Sequence, residues 1–301
     1  MSRNILIIGG SGFIGFYLAK KCIGLGWNVV SVSLNPPKPS RRLKKVKYLN
    51  YNISNKKTIK YLSLKQFDYV VNLGGYIEHL NLKKVVSGHY HVVKNLYNYF
   101  RNKNLKSFIQ IGSSAEYGRA KVPHKENFLC KPAGIYGKYK LKSTNFLLDK
   151  FKKNRFPVTV IRFYQVYGPK QNIDRFIPIL ISACIKNIKF SSSHGKQKRD
   201  FLYVDDAISA ILNSLNNKAC KGKIINIGSG KPITLLKIMK YVQKKIGGGK
   251  LLLGQIKLRV DEPMIIYPSL KNARKFLNWK NRTSFNTGIN KTIKQYEKEI
   301  S

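Results

Sequence analysis

Two side chains in the segment YGKYK have the types and the spacing that proton transfer needs. Tyr136 and Lys140 are four residues apart, which places them on one face if the segment is helical. A phenol is a weak acid at neutral pH, and a nearby ammonium group stabilises its phenolate form. The pair could therefore donate and accept a proton during a reaction. Such a pair is common by chance. Here it gains specificity because Ser113, near the end of the predicted strand FIQIGSS, lies 23 residues before Tyr136.

A glycine-rich segment near the start of the chain could hold a phosphate group. GGSGFIG contains Gly9, Gly12 and Gly15, follows the apolar run NILII and precedes a helical pattern. Glycines in this context let the backbone approach a pyrophosphate, which the free N–H groups of the helix N-terminus then bind. The sequence predicts a dinucleotide site here, and this site includes Phe13 and Ile14, which lie between the second and third glycines.

The end of the second predicted strand bears on which dinucleotide is bound. In such sites a carboxylate at this place accepts hydrogen bonds from the adenosine ribose of NAD. Here the segment reads SVSLNPPKPSRR, with Ser33 where an Asp is expected and no acidic residue before Asp68. Lys38, Arg41 and Arg42 follow closely and could bind a 2′-phosphate. We therefore expect NADP(H), with Arg41 as a ligand. The alternatives are NAD as the cofactor and a solvated basic loop at Arg41 and Arg42.

The elements that must position these residues alternate between strands and helices. Apolar runs predict strands at 4–10, 28–34, 67–75, 108–114 and 157–166, a further strand in VKYLNYN, and helices after the glycine segment, at 90–101 and at 135–154. This alternation predicts an α/β fold with a Rossmann-type, doubly wound parallel sheet. After residue 168 the pattern is shorter and more mixed. We expect a dinucleotide-binding domain over 1–167 and a smaller mixed α/β lobe over 168–301, with segments near 200–230 returning to the first domain.

The composition is strongly basic. The chain has 57 Lys+Arg against 13 Asp+Glu, a formal net charge of +44. The basic residues are dispersed, which favours a compositional background with anionic small ligands over a dedicated polyanion partner such as nucleic acid. The four cysteines show no metal-type spacing and are expected to be reduced, so no metal site is predicted. The longest apolar run, FIPILISACI, is about half of a membrane span, and no signal peptide is apparent, so we expect a soluble cytoplasmic protein.

Several motifs occur together in an order that resembles one family, the extended short-chain dehydrogenase/reductases that modify nucleotide-diphosphate sugars. GGSGFIG is similar to the dinucleotide loop of that family, NLGGYIEH to the segment over the cofactor, GSSAEYG to the segment with the catalytic serine, and YGKYK to the Tyr/Lys pair. RFYQVYGPKQ, KRDFLYVDDA, NIGSGKPITL, LRVDEP and ARKFLNWK resemble later segments of the family. The match extends over nearly the whole chain.

The resemblance implies a role for each matched residue. Tyr136 would exchange a proton with a sugar hydroxyl while hydride moves between the sugar carbon and the nicotinamide, and Ser113 would hydrogen-bond the same oxygen. Lys140 would bind the nicotinamide ribose and stabilise the phenolate. Arg199 and Arg259 would hold the nucleotide diphosphate, with surface charge as the alternative for each. The other implied cofactor and substrate positions are Leu73, Gly74, Gly75, Ser114 and Gln165.

The chain departs from the family pattern at three positions. Asn52 precedes Ile53 where the family usually has an Asp followed by a hydrophobic residue near the adenine. His91 stands where an Asn is frequent, and Gln165 stands where an Asn often meets the substrate. These differences indicate an unusual member with a different substrate geometry.

The residues after Ser113 narrow the reaction. The family's 4,6-dehydratases carry Asp-Glu there, and its 3,5-epimerase/reductases carry a Cys two residues after the serine, whereas this chain has Ser114 and Ala115. What remains is chemistry at C4 of the sugar. Ser33 and the similarity of GSSAEYG to the 4-keto-6-deoxyhexose reductases favour reduction of a 4-keto sugar; 4-epimerisation with tightly bound NAD is the alternative. An alternative outside enzyme function is a non-catalytic protein of the same fold that binds RNA or another polyanion.

Two helical segments resemble those that pair in the family's homodimers through a four-helix bundle. They cover residues 90–101 and 136–153. The first has apolar and polar residues at helical spacing, namely His91, Val92, Asn95, Leu96 and Tyr99. We expect a homodimer, with packing inside one subunit as the alternative.

Overall fold

A parallel seven-stranded sheet forms the centre of the computed structural model, which describes residues 2–62, 66–76, 81–258 and 262–300. The strands of the described residues are β1 (Asn4–Ile8), β2 (Asn28–Ser33), β3 (Val46–Asn50), β4 (Tyr69–Asn72), β5 (Ser107–Ser113), β6 (Val158–Phe163), β7 (Gln165–Tyr167), β8 (Lys189–Ser191), β9 (Lys198–Arg199), β10 (Phe201–Tyr203), β11 (Ile224–Ile227), β12 (Ile233–Thr234), β13 (Lys250–Leu252) and β14 (Ile265–Ile266). The order in the central sheet is β11-β6-β5-β4-β1-β2-β3, and every neighbouring pair is parallel. The predicted Rossmann-type fold class is confirmed.

The helices of the described residues connect these strands. They are α1 (Phe13–Gly24), α2 (Leu82–Val85), α3 (Val92–Phe100), α4 (Ile135–Asn154), α5 (Phe176–Ile185), α6 (Val204–Asn216), α7 (Leu235–Ile246), α8 (Lys271–Leu277) and α9 (Phe285–Ile300). The predicted helix at 135–154 is confirmed as α4. The predicted helix at 90–101 is α3 in its larger part, but its first residues belong to a π-helical turn, Val86–His91, that joins α2 to α3.

The sheet has a hydrophobic core on each face because side chains alternate along a strand. Leu6 and Ile8 of β1 lie in one core together with residues of α3 and α4. Ile5 and Ile7 lie in the other core together with residues of α1 and α6. The continuous apolar run NILII is therefore the expected sequence of a strand that is covered on both sides.

The predicted strand at 157–166 is divided in two. β6 remains in the central sheet, whereas β7 pairs with β10, and Tyr164 lies between them. Tyr164 is buried and bonded to His124, and the N–H of Gln165 donates to the Asp200 carbonyl. Contacts with distant parts of the chain therefore turn the backbone out of the sheet, which the apolar pattern alone does not indicate.

The short strands from β7 onward build smaller sheets outside the central one. β10 pairs with β7, β9 lies between β12 and β14, and β13 pairs with β8. β11 returns to the edge of the central sheet beside β6. In the part of the chain that the structure describes, none of the helices has the length and apolar character needed to cross a membrane.

Candidate active site

The glycine segment forms the turn between β1 and α1. Gly9 has a φ of +78°, which favours glycine, and its N–H donates to the Val32 carbonyl. A Cβ atom at Gly15 would lie 2.5 Å from the Gly9 carbonyl oxygen, so α1 can pack this closely only without one. α1 begins after Gly12 with no side-chain cap and no acidic residue in its first turn. Its first N–H groups therefore form a cradle that fits a pyrophosphate.

Phe13 and Ile14 open helix α1. Both are half-buried and pack against the hydrophobic core. A Cβ atom at Gly168 would lie 3.5 Å from the end of the Phe13 ring, so this ring is also close to the loop that follows β7. The two side chains anchor the helix turn whose N–H groups form the cradle.

The segment after β4, with the predicted cofactor ligands Leu73, Gly74 and Gly75, lies against the glycine turn. The N–H of Leu73 donates to the Ile8 carbonyl at 2.9 Å. A Cβ atom at Gly9 would lie 3.0 Å from the Gly74 nitrogen, so the two glycine segments are in close contact. Residues 77–79 of the matching motif NLGGYIEH lie outside the described residues.

Ser113 and the Tyr136/Lys140 pair lie on β5 and α4, two elements in direct contact; we call these three residues the catalytic corner. The Lys140 ammonium is buried and donates to the Ile111 carbonyl at 2.8 Å, two residues before Ser113. It lies 5.8 Å from the centre of the Tyr136 ring. The predicted spacing therefore places the ammonium beside the phenol and joins the helix to the strand that ends in Ser113.

Ser113 ends β5 and caps a short 3-10 turn. Its hydroxyl accepts from the Ala115 N–H at 3.2 Å, and its own N–H donates to Glu116 Oε1 at 2.8 Å, a reciprocal capping box. Ser114 is half-buried on the same turn. Helix α4 packs against the turn at Gly137, where a Cβ atom would lie 2.5 Å from the Ala115 carbonyl oxygen. The turn is thus held next to the helix that carries the phenol.

His89 is a buried neighbour of Tyr136 that the sequence patterns do not reveal. The two ring centroids are 5.1 Å apart and the rings meet edge-on at 81°. His89 Nε2 lies 3.0 Å from the Tyr76 carbonyl oxygen. A Cβ atom at Gly75 would lie 2.3 Å from the imidazole, so the glycine makes room for it. His89 belongs to the π-helical turn, and an ordinary helical period does not place its side chain correctly.

A buried ion pair lies behind Ser113. Glu116 Oε2 accepts from Arg162 Nε at 2.9 Å and from Arg162 Nη2 at 2.7 Å. The hydroxyl of Thr144 on α4 donates to the same oxygen at 2.9 Å. Sequence reasoning assigned no role to Glu116. The available signal was an acidic residue directly after a buried strand, in a chain with 13 Asp+Glu.

The polar contacts continue into the loop before α4. The Tyr117 hydroxyl donates to Asn226 Oδ1 at 2.8 Å, and Asn226 Nδ2 donates to the His124 carbonyl at 3.0 Å. His124 is buried, with its Nδ1 2.9 Å from the Tyr164 hydroxyl. Burial lowers the pKa of His124 from 6.5 to about 4, so this imidazole is neutral near pH 7.

The side chains predicted to lie near the adenosine are bonded to nearby backbone and hydroxyl groups. The Ser33 hydroxyl accepts from the Ser11 N–H of the glycine segment at 3.1 Å. Asn52 is exposed, and its Oδ1 accepts from the N–H of Ser54 at 3.0 Å and from its hydroxyl at 2.7 Å. Ile53 is buried in the core below. Ser33 thus lies beside the pyrophosphate cradle and presents a hydroxyl in place of a carboxylate.

Arg41 is buried, and its guanidinium is directed at protein atoms. Its Nε donates to the Lys170 carbonyl at 2.9 Å, and its Nη2 donates to the same carbonyl and to Asn172 Oδ1, the latter at 2.7 Å. Burial lowers the pKa of Arg41 from its usual value. The sequence predicts Arg41 as a ligand of a 2′-phosphate, whereas the structure turns its donors toward segment 169–172.

Segment 169–172 is bonded to two further elements and once more to the turn that contains Arg41. The hydroxyl of Tyr17 on α1 donates to the Pro169 carbonyl at 3.0 Å, and that of Tyr296 on α9 donates to the Gln171 carbonyl at 2.6 Å. The ammonium of Lys170 donates to a carbonyl of the 3-10 turn that contains Arg41, at 2.7 Å. Arg41 is therefore one of several groups that fasten this segment.

The predicted substrate ligands lie beyond β6. Gln165 is exposed and lines a cavity of about 220 Å³, whose walls also include Arg175, Phe176 and Phe201. Arg199 is buried on β9 and forms an ion pair with Glu262. Arg259 lies outside the described residues. The guanidinium of Arg199, predicted to hold a diphosphate, is thus paired with a carboxylate of the protein.

Asp200, in the motif KRDFLYVDDA, has a structural role. Its carboxylate accepts from the Ser229 and Gly230 N–H groups, each at 2.6 Å, which ties the chain before β10 to the loop after β11. Burial raises the pKa of Asp200 to about 6, while these N–H groups act in the opposite direction. Among the described residues no group of three His, Cys, Asp or Glu side chains could hold a metal ion.

The glycine cradle and the Tyr/Lys pair on a parallel sheet define a Rossmann-type protein with a site for a nicotinamide dinucleotide. The residues fit that group because Gly9, Gly12 and Gly15 place no Cβ atom in the turn that opens α1. The chain belongs to the NAD dependent epimerase/dehydratase family, whose model matches residues 5–228.

Known relatives and structures resemble the chain over almost its whole length. It is 26% identical over 312 aligned positions to an uncharacterized UDP-glucose epimerase of Bacillus subtilis, with 96% of each chain covered. It is 24% identical over 322 positions to the dTDP-D-glucose 4,6-dehydratase of Mus musculus, with 99% of this chain and 90% of that protein covered. The UDP-glucuronic acid 4-epimerase from Bacillus cereus, solved with UDP-glucuronic acid and NAD, matches with a TM-score of 0.89 and 24% identity and covers 99% of this chain and 100% of that one.

Proposed function

We propose that this protein is an NAD(P)-dependent oxidoreductase that acts at C4 of a nucleotide-diphosphate sugar. The observation that carries the proposal is the bond between the Lys140 ammonium and the Ile111 carbonyl at 2.8 Å. It holds the helix with Tyr136 against the strand that ends in Ser113, so that one reacting oxygen can contact both hydroxyl groups.

Each residue of the catalytic corner has one task in this proposal. Tyr136 donates a proton to the C4 oxygen during reduction and accepts it during oxidation. Ser113 donates a hydrogen bond to the same oxygen and holds it beside the phenol. Lys140 places a positive charge 5.8 Å from the centre of the phenol ring. The nicotinamide cofactor, when bound, supplies or takes up the hydride.

The residues on the turn after Ser113 favour simple hydride chemistry. Elimination of water across C5 and C6 needs an acid and a base, and epimerisation at a carbon acid needs a group that removes a proton from carbon. Ser114 and Ala115 offer neither. We therefore propose no dehydratase activity, although a dehydratase is among the relatives.

Reduction of a 4-keto sugar by NADPH is the first candidate reaction. It is supported by Ser33, which presents a hydroxyl beside the pyrophosphate cradle where a carboxylate would repel a 2′-phosphate. Lys38 and Arg42 are exposed on the loop after β2 and supply positive charge there. A reductase consumes its cofactor and must release it after each turnover.

4-Epimerisation with NAD is the second candidate. It is supported by the orientation of Arg41, because a guanidinium bonded to Lys170 and Asn172 is not directed at a 2′-phosphate. An epimerase returns the hydride to the other face of the same carbon, so it retains its cofactor between turnovers.

The test is mass spectrometry of the cofactor released from purified protein, followed by absorbance at 340 nm with candidate sugars. We expect protein without tightly bound dinucleotide that oxidises NADPH only when an NDP-4-keto-6-deoxyhexose is added. Retained NAD together with interconversion of C4 epimers would establish the second candidate instead. Binding of RNA with a steep salt dependence, and of neither dinucleotide, would contradict the enzyme proposal altogether.

The proposed assembly is a homodimer through α3 and α4. These helices expose Lys94, Lys138 and Lys142, so a two-fold interface would bring like charges together. We expect dimerisation to strengthen as salt screens this repulsion, and sedimentation at low and high ionic strength measures it. A monomer at every salt concentration would contradict the proposal.

A further inference from the structure

We infer that Glu116 is a positioning residue that holds Ser113 and the catalytic helix in a fixed relation to each other. The inference rests on the proposed function, since it assigns Glu116 a role in the same site. Glu116 lies behind the site and acts through Ser113, whose position relative to α4 it fixes.

The two carboxylate oxygens bond to different elements. Oε1 accepts the Ser113 N–H at 2.8 Å, at the last residue of β5. Oε2 accepts the Thr144 hydroxyl of α4 at 2.9 Å. The same oxygen accepts two donors of Arg162 on β6, at 2.9 and 2.7 Å. One side chain therefore joins the strand that ends in the catalytic serine, the catalytic helix and the neighbouring strand.

The contact of Glu116 with α4 is on the helix face that also carries Lys140. Thr144 is four residues after Lys140, so the two side chains lie on the same face, one turn apart. Lys140 bonds to Ile111 and Thr144 bonds to Glu116, so successive turns of the helix are fixed to β5 and to the turn that follows it. Tyr136 lies one helical turn before Lys140 on α4. A shift of the Glu116 carboxylate would therefore move Ser113 relative to the Tyr136 hydroxyl.

The fold makes room for this ion pair. The side chains of Arg162 and Glu116 are 1% and 0% exposed. A Cβ atom at Gly112 would lie 2.5 Å from Glu116 Oε1 and 3.0 Å from Arg162 Cγ, so a glycine is required beside the pair. The Arg162 guanidinium also lies 4.5 Å from the centre of the Tyr117 ring.

Stability alone is a poor reason for such a pair. Taking both charges out of water costs about as much as their attraction returns, and apolar residues of similar volume often stabilise a protein equally well. What a buried carboxylate with four donors does supply is a single arrangement of the groups around it. That property is useful where a hydroxyl must meet a reacting oxygen, because an error of about 1 Å can cost on the order of 100-fold in rate.

The test replaces the pair without leaving a buried charge alone. In the double variant Glu116→Val/Arg162→Met we expect a thermal midpoint within about 5 °C of the wild type. We expect kcat with NADPH and the NDP-4-keto sugar to fall about 10- to 100-fold, with the KM for NADPH changed by less than about twofold. Addition of Ser113→Ala to this double variant should lower kcat no further than Ser113→Ala alone, because Glu116 acts through that serine.

The matched control is Asp206→Asn. Asp206 is buried and accepts the Arg282 and Thr283 N–H groups at 3.0 and 2.9 Å, and neither donor belongs to the catalytic corner. The Asp206→Asn variant should have a lower thermal midpoint and a kcat within about twofold of the wild type. An equal fall of kcat in Asp206→Asn would overturn the positioning role. So would a triple variant in which the kcat losses of Glu116→Val/Arg162→Met and of Ser113→Ala multiply.

A second readout does not depend on turnover. Amide hydrogen exchange over 111–118 should become at least about tenfold faster in the single variant Glu116→Gln, while exchange over 9–15 stays unchanged. Unchanged exchange over 111–118 would overturn the inference, whatever the substrate is. If exchange changes as expected but no nucleotide sugar supports absorbance change in the wild type, the proposed function fails and the positioning role stands.

Discussion

The two ends of the predicted cofactor site are fixed by different kinds of contact. The catalytic corner is held by buried bonds between elements, from Lys140 to β5 and from Glu116 to β5, α4 and β6. At the other end, which we call the adenosine end (Ser33, Arg41 and Asn52), Ser33 bonds to the adjacent glycine segment and Asn52 bonds two residues along its own loop.

The difference shows which properties of the site can be changed separately. Bonds between buried elements cannot be rearranged without loss of packing, so the geometry of the catalytic corner is a property of the fold. The adenosine end consists of half-exposed and exposed loop side chains, with Arg41 as the exception. Its preference for a dinucleotide should therefore respond to single substitutions that leave hydride transfer intact.

The largest effect should come from Tyr136→Phe. Loss of the phenol removes the proton donor and should lower kcat roughly 10²- to 10⁴-fold, while NADPH still binds within about twofold of its wild-type affinity. Initial rates at 340 nm and a fluorescence titration measure the two quantities. Tyr139→Phe is the matched control, since Tyr139 is a half-buried tyrosine on the same helix. Equal losses in the two variants would mean that the catalytic corner is misassigned.

Ser33→Asp should reverse the dinucleotide preference. A carboxylate beside the cradle repels a 2′-phosphate and accepts hydrogen bonds from a ribose, so the ratio of the NADPH and NADH dissociation constants should rise about 10- to 100-fold. Fluorescence titration of both cofactors gives this ratio. Ser33→Asn has similar size without the charge and should change the ratio much less. A constant ratio in Ser33→Asp would remove the main support for NADP.

The pH dependence of stability should report on the buried contacts near the catalytic corner. The pKa of His124 is lowered from 6.5 to about 4, so its contribution is present above pH 6.5 and is lost as the pH falls toward 4. The contribution of His124 should make the free energy of unfolding about 2 kcal/mol smaller at pH 5 than at pH 7. This contribution should be absent in His124→Gln.

Denaturant unfolding of both proteins at pH 5 and pH 7 measures that difference. The comparison of wild type with variant is needed because Asp200, whose pKa burial raises to about 6, contributes in the opposite sense as the pH falls through 6. The same pH dependence in wild type and His124→Gln would show that the imidazole is not held neutral by burial.

The smallest effect concerns the two arginines after β2. Arg42 is exposed, and Arg42→Met should weaken NADPH binding about two- to fivefold and leave NADH binding unchanged. Arg41→Met should instead lower the thermal midpoint, because it leaves the Lys170 carbonyl and Asn172 without their donor. A selective loss of NADPH affinity in Arg41→Met would instead support Arg41 as a ligand of the 2′-phosphate.

The parts of the fold that could be predicted depend on neighbouring residues in the chain. The glycine turn needs only Gly9, Gly15 and a strand before them, and the bounds of α4 follow from its helical period. The catalytic corner is of this kind, because a spacing of four residues on a helix already places Lys140 beside Tyr136.

The parts that could not be predicted depend on residues far away in the chain. The orientation of Arg41 is set by the Lys170 carbonyl, 129 residues later. The break of the sixth strand at Tyr164 is set by His124, 40 residues earlier, and by Asp200. The position of His89 depends on a π-helical turn, which has no simple sequence period. For Arg41 and Tyr164 a tertiary contact decides the arrangement, and for His89 an irregular helical turn does.

The fastening of segment 169–172 has a mechanical consequence. Groups from α1, α9 and the 3-10 turn after β2 bond to four consecutive residues that begin just after β7. Gln165 on β7 and Gln171 within this stretch line the same cavity. This wall should therefore be protected in hydrogen exchange, and a ligand too bulky for the cavity should be accommodated by displacement of the wall at α5.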